Sequence, residues 1–528
     1  MGEAVEITDE HSSKEMGSSD LSRRKFMHGI AGVGAVSMLS PLSLLDARAD
    51  DRISTRLSTL AYEGTEAQGE WNLTDIEGEI PRGLYGVLYR IGAGQKINHG
   101  KRLQHFFDGD ALLAGFGFED GKVRLRMKFI ETAERQLESA QARMIWNEFG
   151  TLGQAPWPTR KLFKNQPNIN VVPWDGGLIA LSEAGPPARV NPKDFSFEGP
   201  YDFHGTLGKD MTFTAHPKID PKTGDGFGFG LHRSLDASIR VYRMDGKSGK
   251  LAELYSLPQY KVFLVHDFIV TENHLVLLIP PVTFEIFEVL AGVKSMAGTM
   301  KYWDRGEMRI VILKKDGSSL PLEIKQPPCT VIHHGNGYEQ DGRIIFDSFM
   351  SQGDSLLKTL KHYSAASLAP TATPSRFRYE VDLAKGQVVS RIEKSPAQEF
   401  PRFDLRKMGR LADFLYTLEL DAIADPLGTI RLCKHNLRTD QIQRVEAGRG
   451  RIFGEPVFVP HSESSAESGA EPGTEDEGWI LNLGFDAERG ETFLDIRDAR
   501  TLDLAAKVWT GKFLPLGFHG NFVAGATL

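Results

Sequence analysis

From residue 112 onward the chain repeats one short unit: an apolar strand, a turn in which Asp or Asn precedes Gly or another polar residue, and a second strand. The unit reads LLAGFGFEDGKVRLRMKF, LIALSEAGPPARVNPKDFSF, SIRVYRMDGKSGKLAELYSL, RIVILKKDGSSLPLEI, RFRYEVDLAKGQVVSRI, TIRLCKHNLRTDQIQRV and TFLDIRDARTLDLAAKV. Its copies begin near residues 112, 178, 238, 309, 376, 429 and 492. Short β-branched and aromatic runs punctuated by Gly, Asp, Asn and Pro read as strands and turns. Seven hairpins at a near-regular pitch predict an all-β chain, a seven-bladed β-propeller. A generic meander and a pair of β-sandwich domains are the competing arrangements. The pitch exceeds the ~40–45 residues of compact propellers. The surplus belongs to loops, which would stack on one face as a cap over the axis.

Charge and cysteine content narrow the function. Lys and Arg number 62 against 70 Asp and Glu, a net charge of −8. No basic face is available to phosphate backbones, so nucleic acid is excluded as a partner. Two cysteines, Cys329 and Cys433, are too few for a disulfide scaffold or a Cys-rich zinc or iron–sulfur site. They read as buried free thiols, with a single bridge as the alternative in an oxidising compartment. No GxGxxG, P-loop, GxSxG or HExxH motif occurs, so those chemistries lack support.

The N-terminus carries a different signal. Ser22-Arg23-Arg24-Lys25-Phe26-Met27 precedes the weakly apolar run HGIAGVGAVSMLSPLSLL, and Ala47-Arg48-Ala49 follows with a small-x-small pattern. This resembles a twin-arginine export signal. The bland alternative is a frayed amphipathic helix with a chance Arg pair. The apolar run is too short and Gly-rich for a span of about 20 residues. The expectation is a signal peptide over 1–49 and a single seven-bladed propeller domain with cap loops over 50–528. The product would be periplasmic and membrane-associated. Because this route carries folded proteins, often with a cofactor in place, it also points to a metal or cofactor enzyme.

Two segments break the β pattern. Residues 280–296, beginning Pro280-Pro281-Val282-Thr283-Phe284, read as helical with a strongly apolar side. The run Ser462–Gly473 is polar and of low complexity, an exposed loop.

Of the fifteen His, His99, His362, His435 and His461 sit in polar contexts and need no special role. His216, His266, His333 and His519 each lie within or beside an apolar run suited to an inner strand. Inner strands of a propeller converge on one axis, so His from different blades can meet there. Imidazole serves Fe, Zn, Cu or Ni, and the spacing leaves the metal open. A hydrogen-bonded core role is the alternative for each ring singly.

Several motifs now stand in order: Gly83-Leu84-Tyr85-Gly86-Val87-Leu88-Tyr89-Arg90, Phe107-Asp108-Gly109-Asp110, and Thr214-Ala215-His216-Pro217-Lys218. They continue with His266-Asp267-Phe268, His333-His334-Gly335-Asn336-Gly337-Tyr338-Glu339, Gly454-Glu455-Pro456-Val457-Phe458-Val459 and Gly517-Phe518-His519-Gly520. Together they resemble the carotenoid cleavage oxygenase family, over roughly residues 70–528. That family includes stilbene-cleaving enzymes and a retinoid isomerase branch. The resemblance implies a seven-bladed propeller with a loop and helix cap over an axial non-haem Fe(II), one per chain, held by His216, His266, His333 and His519. His334 is the decoy of its pair. Glu183, Glu399 and Glu455 match the carboxylates that accept the other N–H of ligating imidazoles and so fix tautomer and orientation.

The implied reaction is O2-dependent cleavage of a C=C bond in a carotenoid or apocarotenoid, an apolar polyene, to carbonyl products. It requires no acid or base beyond the metal site. The alternatives are cleavage of a stilbene or other phenylpropenoid, isomerisation, or, in another class, a non-catalytic exported propeller acting as a binding module. Departures from the family pattern occur at Arg90-Ile91-Gly92-Ala93-Gly94, Ala111, Ser182, Leu264 and Ile332, and are expected to reshape the substrate tunnel. Arg126 aligns where stilbene-cleaving relatives use a Lys, which disfavours that substrate class. Residues 282–303 occupy the place where relatives carry an apolar patch at the tunnel mouth, so peripheral membrane contact is expected there.

Overall fold

The computed structural model describes residues 51–60, 63–154, 163–209, 211–221, 223–232, 237–362, 374–395, 397–420, 430–461 and 474–528. Residues 1–49, expected to be a signal peptide, and the run Ser462–Gly473, expected to be an exposed loop, lie outside the described residues.

Seven antiparallel sheets of four or five strands form the blades of a β-propeller. Each of the seven repeated hairpins falls in a different blade. They correspond in order to strand pairs starting at Ala111, Gly177, Ser238, Met308, Ser375, Arg431 and Glu491. Local chemistry explains their formation. Asp120-Gly121 in the first hairpin, and Asp175-Gly176 and Asp341-Gly342 between the two innermost strands of the second and fifth blades, each place two consecutive residues at positive φ. That is the turn whose twist matches paired strands, and Asp-Gly adopts it at low cost. Blades are covered on both faces, so central strands read as continuous apolar runs. Gly86–Ala93 is buried at every residue. The outermost strand Leu251–Pro258 alternates between buried and exposed from Tyr255 to Pro258.

The ring closes twice. The C-terminal strand Gly520–Ala524 becomes the innermost strand of the first blade by pairing with Gly86–Ala93. Near the N-terminus, Ile76–Gly78, which follows the first-blade strand Gly69–Leu73, adds to the outer edge of the seventh blade by pairing with Leu504–Trp509. Apolar clusters fill the wedges between blades. Leu88, Phe116 and Leu125 of the first blade, for example, meet Leu481, Leu494 and Val508 of the seventh. A helix over 51–59 packs Ile53 and Leu57 on Ile452 and Phe485 of the seventh blade.

The cap departs from expectation in one segment. Residues 280–296 do not form a continuous helix. Val282–Phe284 and Met300–Tyr302 are strands that join Val262–Phe263 in a three-stranded sheet, with short helices Ile286–Leu290 and Met296–Thr299 between them. Pro280 and Pro281 lack N–H donors, Val282 and Thr283 are β-branched, and Gly292 at φ 64° ends the first helix. Phe284, Val289, Met296 and Met300 form a core with Leu356, Leu357 and Leu360. Phe107, Phe149, Leu264 and Ile332 lie half-buried against it.

Candidate metal centre

Four inner strands deliver the four His. His216 directly precedes the third-blade strand Lys218–Ile219, and His266 precedes the fourth-blade strand Ile269–Val270. His333 lies inside the fifth-blade strand Cys329–Gln340, and His519 precedes Gly520–Ala524 of the first. Glu399 and Glu455 stand on the inner strands of the sixth and seventh blades, Gln398–Arg402 and Arg451–Pro460. Glu183 follows Gly177–Leu181 of the second. In strands, irregular register re-aims side chains. Such breaks occur between Val331 and His334, between Glu399 and Arg402, and between Phe453 and Pro456. Each falls at a site residue.

One donor nitrogen from each of the four His lies within 4.8 Å of the others. His216 Nε2 is 2.9 Å from His266 Nε2, and His266 Nε2 is 3.2 Å from His333 Nε2. Bare imidazole lone pairs at that spacing repel unless a proton or cation lies between them. A metal–nitrogen bond of about 2.1 Å puts ring centroids about 4.6 Å apart for ligands at right angles and about 6.5 Å apart for opposite ones. The His266–His519 centroids are 6.4 Å apart, and the other five pairs span 4.5 to 5.2 Å. The donor set therefore fits a single cation, which His216, His266, His333 and His519 would hold together.

Carboxylates back three of the rings. His333 Nδ1 donates to Glu399 Oε2 at 2.6 Å, and His519 Nδ1 donates to Glu455 Oε1 at 2.8 Å. His266 Nδ1 lies 2.6 Å from Glu183 Oε1. Holding the proton on Nδ1 directs the Nε2 lone pair to the centre. Burial pushes His519 down to about 4 in spite of Glu455, so its ring is neutral at physiological pH. Burial and the neighbouring rings hold His216 well below the usual imidazole range. For His333 burial acts downward, but Glu399 outweighs it and leaves the ring above that range. A cation held by these rings would take the place of that proton.

Other residues frame the site. Asp267 Oδ1 accepts from Lys218 Nζ at 2.7 Å and Asp267 Oδ2 from the His334 N–H at 3.0 Å, stapling the segments that carry His216, His266 and His333. Burial opposes its ionisation, yet Lys218 and the nearby His hold it at about 2. His334 points away, with Nδ1 2.8 Å from Ser348 Oγ, and is not in the cluster. A cavity of about 70 Å³ adjoins the rings, lined by Lys218, Asp267, Phe400, Arg402 and Met408 among others. A larger one, about 380 Å³, lies among Tyr89, Trp174, Ile219 and Val523 and touches none of the four His, so the chemistry assigns the site to the smaller. Phe106, Phe107 and Phe518 pack at centroid distances of 5.0 to 5.8 Å, forming an aromatic wall beside His519.

Some residues escaped the sequence reading. Phe400 follows Glu399 and Arg402 lies two residues further on, and Phe400 sits at φ 55° with its ring 5.6 Å from His333. A single strained aromatic beside a carboxylate leaves no periodic trace. His435, assigned a polar context, is instead a core residue of the sixth blade, with Nε2 2.8 Å from Gln398 Oε1. Of the departures from the family pattern, Leu264 and Ile332 face the apolar cap, whereas Ser182 donates to Asn165 Oδ1 at 2.6 Å. Arg126 lies in the first blade, where Glu70 holds its Nε at 2.7 Å.

A family model described as retinal pigment epithelial membrane protein matches residues 62–524. The chain is 28% identical over 488 residues to the apocarotenoid-15,15'-oxygenase of Synechocystis sp., covering 87% of this chain and 95% of that protein. It is 28% identical over 490 residues to carotenoid cleavage oxygenase 1 of Neurospora crassa, covering 86% of this chain and 88% of that protein. The structure of the cobalt-substituted Synechocystis apocarotenoid oxygenase matches with a TM-score of 0.79 at 25% identity, over 89% of this chain and 99% of that one.

Proposed function

The chain belongs to the carotenoid cleavage oxygenase family, and on that premise we propose that it is an O2-dependent dioxygenase cleaving one C=C bond of a carotenoid or apocarotenoid. The observation that carries this reading is the convergence of His216, His266, His333 and His519 on one point with carboxylates behind three of them. We assign to this site one Fe(II) per chain, held by the four His and oriented through Glu183, Glu399 and Glu455. Bound there, iron supplies O2 activation beside the substrate. Both atoms of O2 end on the two carbons of the broken bond, and no proton enters or leaves the sum. The site accordingly needs no acid or base. The chain's part is to orient the imidazoles, exclude water and align the polyene. The half-buried wall of Phe107, Phe149, Leu264 and Ile332 suits a hydrocarbon chain. Arg126, engaged by Glu70, does not offer a phenol the contact a stilbene would use.

Two further parts of the reading concern place. The twin-arginine signal would deliver the folded protein to the periplasm. Among the described residues no helix is long and apolar enough to cross a membrane. Attachment would be peripheral, through Phe287, Leu290, Val293 and Trp303, which are exposed on the cap.

The test combines elemental analysis with product mass spectrometry under 18O2, using carotenoids, apocarotenals and stilbenes. The expected result is about one iron per chain and paired carbonyl products, each carrying one 18O, from a polyene. A protein without iron that turns over nothing is the binding module instead. Stilbene products alone, or isomers without cleavage, overturn the substrate or the reaction.

A further inference from the structure

Glu455 differs from the other two carboxylates in its company. Arg90 is 4% exposed, and its Nη1 donates to Glu455 Oε2 at 2.6 Å. Its Nη2 donates to the Phe518 carbonyl at 3.2 Å, one residue before His519. Arg402 Nη1 lies 3.4 Å from Glu455 Oε1, and its Nη2 donates to Asn521 Oδ1 at 2.9 Å. Glu455 thus stands between two guanidiniums and the imidazole it orients. Glu399, by contrast, meets His333 and the Phe400 backbone N–H.

The motif around His519 is shaped to this contact. A Cβ at Gly520 would fall 2.6 Å from Arg90 Cδ and closer still to the Tyr89 carbonyl. At Gly517 it would fall 3.1 Å from the Ile91 carbonyl. The two glycines flanking Phe518-His519 therefore let the strand carrying Arg90 pass directly beneath the ligand. Backbone bonds secure the passage: Phe518 N–H donates to the Ile91 carbonyl at 3.0 Å, and Ile91 N–H to the His519 carbonyl at 3.2 Å. Arg90 Nε, also buried, has no acceptor among the described residues. Its guanidinium plane is set by the fork onto Glu455 and Phe518 and not by its own saturation.

We propose that Arg90 is a positioning residue of the metal centre, acting through Glu455 to set the orientation and donor strength of His519. A carboxylate accepting an N–H draws the proton toward itself and enriches the ring as a ligand. One whose charge is offset by two guanidiniums draws less. His519 is then the weakest donor of the three carboxylate-backed rings, and the ligand set is asymmetric by construction. The Phe518 carbonyl anchors the fork, and the bidentate geometry is available to Arg and not to Lys.

This inference rests on the reading of the site as a metal centre, so the test measures metal first. The full-length protein is titrated with Co(II) against a chelator, and the dissociation constant and the Co(II) absorption spectrum are recorded. The variants are Arg90→Gln, Arg90→Lys, Glu455→Gln and the double variant Arg90→Gln with Glu455→Gln. Arg90→Gln frees Glu455 to draw harder on the His519 proton but removes the fork that holds both in place; loss of orientation is expected to outweigh the stronger donor, weakening binding about 10- to 100-fold, the range for partners of metal ligands, and shifting the spectrum. Arg90→Lys should fall between it and wild type. Because Arg90 acts through Glu455, the double variant should bind within about threefold of Glu455→Gln alone, as coupled residues do. Wild-type affinity and spectrum in Arg90→Gln, or losses that multiply in the double variant, overturn the proposal while leaving the metal reading intact. If Arg90→Gln fails to fold with Glu455 left short of counter-charge, the double variant removes that charge and decides alone. A wild-type protein that takes up no ion overturns the metal reading and this inference with it.

Discussion

Replacing Phe287 and Val293 together by Ser tests how the protein reaches a lipid-borne substrate. The segment 282–303 has two faces. Phe284, Val289, Met296 and Met300 are at most 9% exposed, whereas Phe287 is 72% exposed, Val293 67%, Leu290 41% and Trp303 36%. Lys261 and Lys301 place their ammonium groups 4.6 and 4.2 Å from the Trp303 ring, an arrangement suited to headgroup depth. Full burial of a Phe or Val side chain is worth about 1.5–3 kcal/mol. The fractions still exposed leave about 1–2 kcal/mol each to be gained on entering a membrane. Removing both should cost about 3 kcal/mol, roughly a hundredfold in vesicle partitioning. The assay is flotation with liposomes, with thermal melting and turnover of a detergent-solubilised short substrate as controls. Those controls should hardly move, because neither side chain supports the cap core. Phe284 is unsuitable for this test, since a charge there would break that core. Vesicle binding within threefold of wild type, or a wild type that does not bind, refutes the interfacial reading.

Further outcomes follow from the site. His216→Ala, His266→Ala, His333→Ala and His519→Ala should each lose iron and turnover, while His334→Ala, which removes only a bond to Ser348, keeps both; iron content and product yield check this. Glu183→Gln, Glu399→Gln and Glu455→Gln should stay folded and lose about 10- to 100-fold in activity or metal affinity, and wild-type rates in all three remove them from the site. Arg23→Lys with Arg24→Lys should trap the protein in the cytoplasm, and fractionation showing it still exported sinks the twin-arginine assignment. Burial pushes the thiols of Cys329 and Cys433 up to about 12. At pH 8 only roughly one part in ten thousand is thiolate. Both should therefore ignore a thiol reagent until the protein is denatured, and fast reaction in the native state contradicts their burial.

What the sequence determined by itself is what local chemistry encodes. Asp120-Gly121 dictates a tight turn wherever it lies, and the apolar runs on either side dictate strands. Seven hairpins and their order were therefore legible, and each occupies its own blade. The four His were legible as residues in apolar runs, and their grouping as ligands came from the ordered motifs. Tertiary structure decided the rest, because ring closure brings together residues with no local relation. Glu399 reaches His333 across 66 residues and Arg90 reaches Glu455 across 365, so the motif match names the carboxylates but not the partner each one meets. The same holds where burial chose a side chain's role. The register break between Val331 and His334 sends His333 to the axis and His334 into the blade, a choice neither ring makes for itself. Residues 282–303 carry many apolar side chains and few charges in sequence. Only packing against Leu356 and Leu360 selects Phe284 for the core, leaving Phe287 in solvent, because burial depends on what the rest of the chain places opposite.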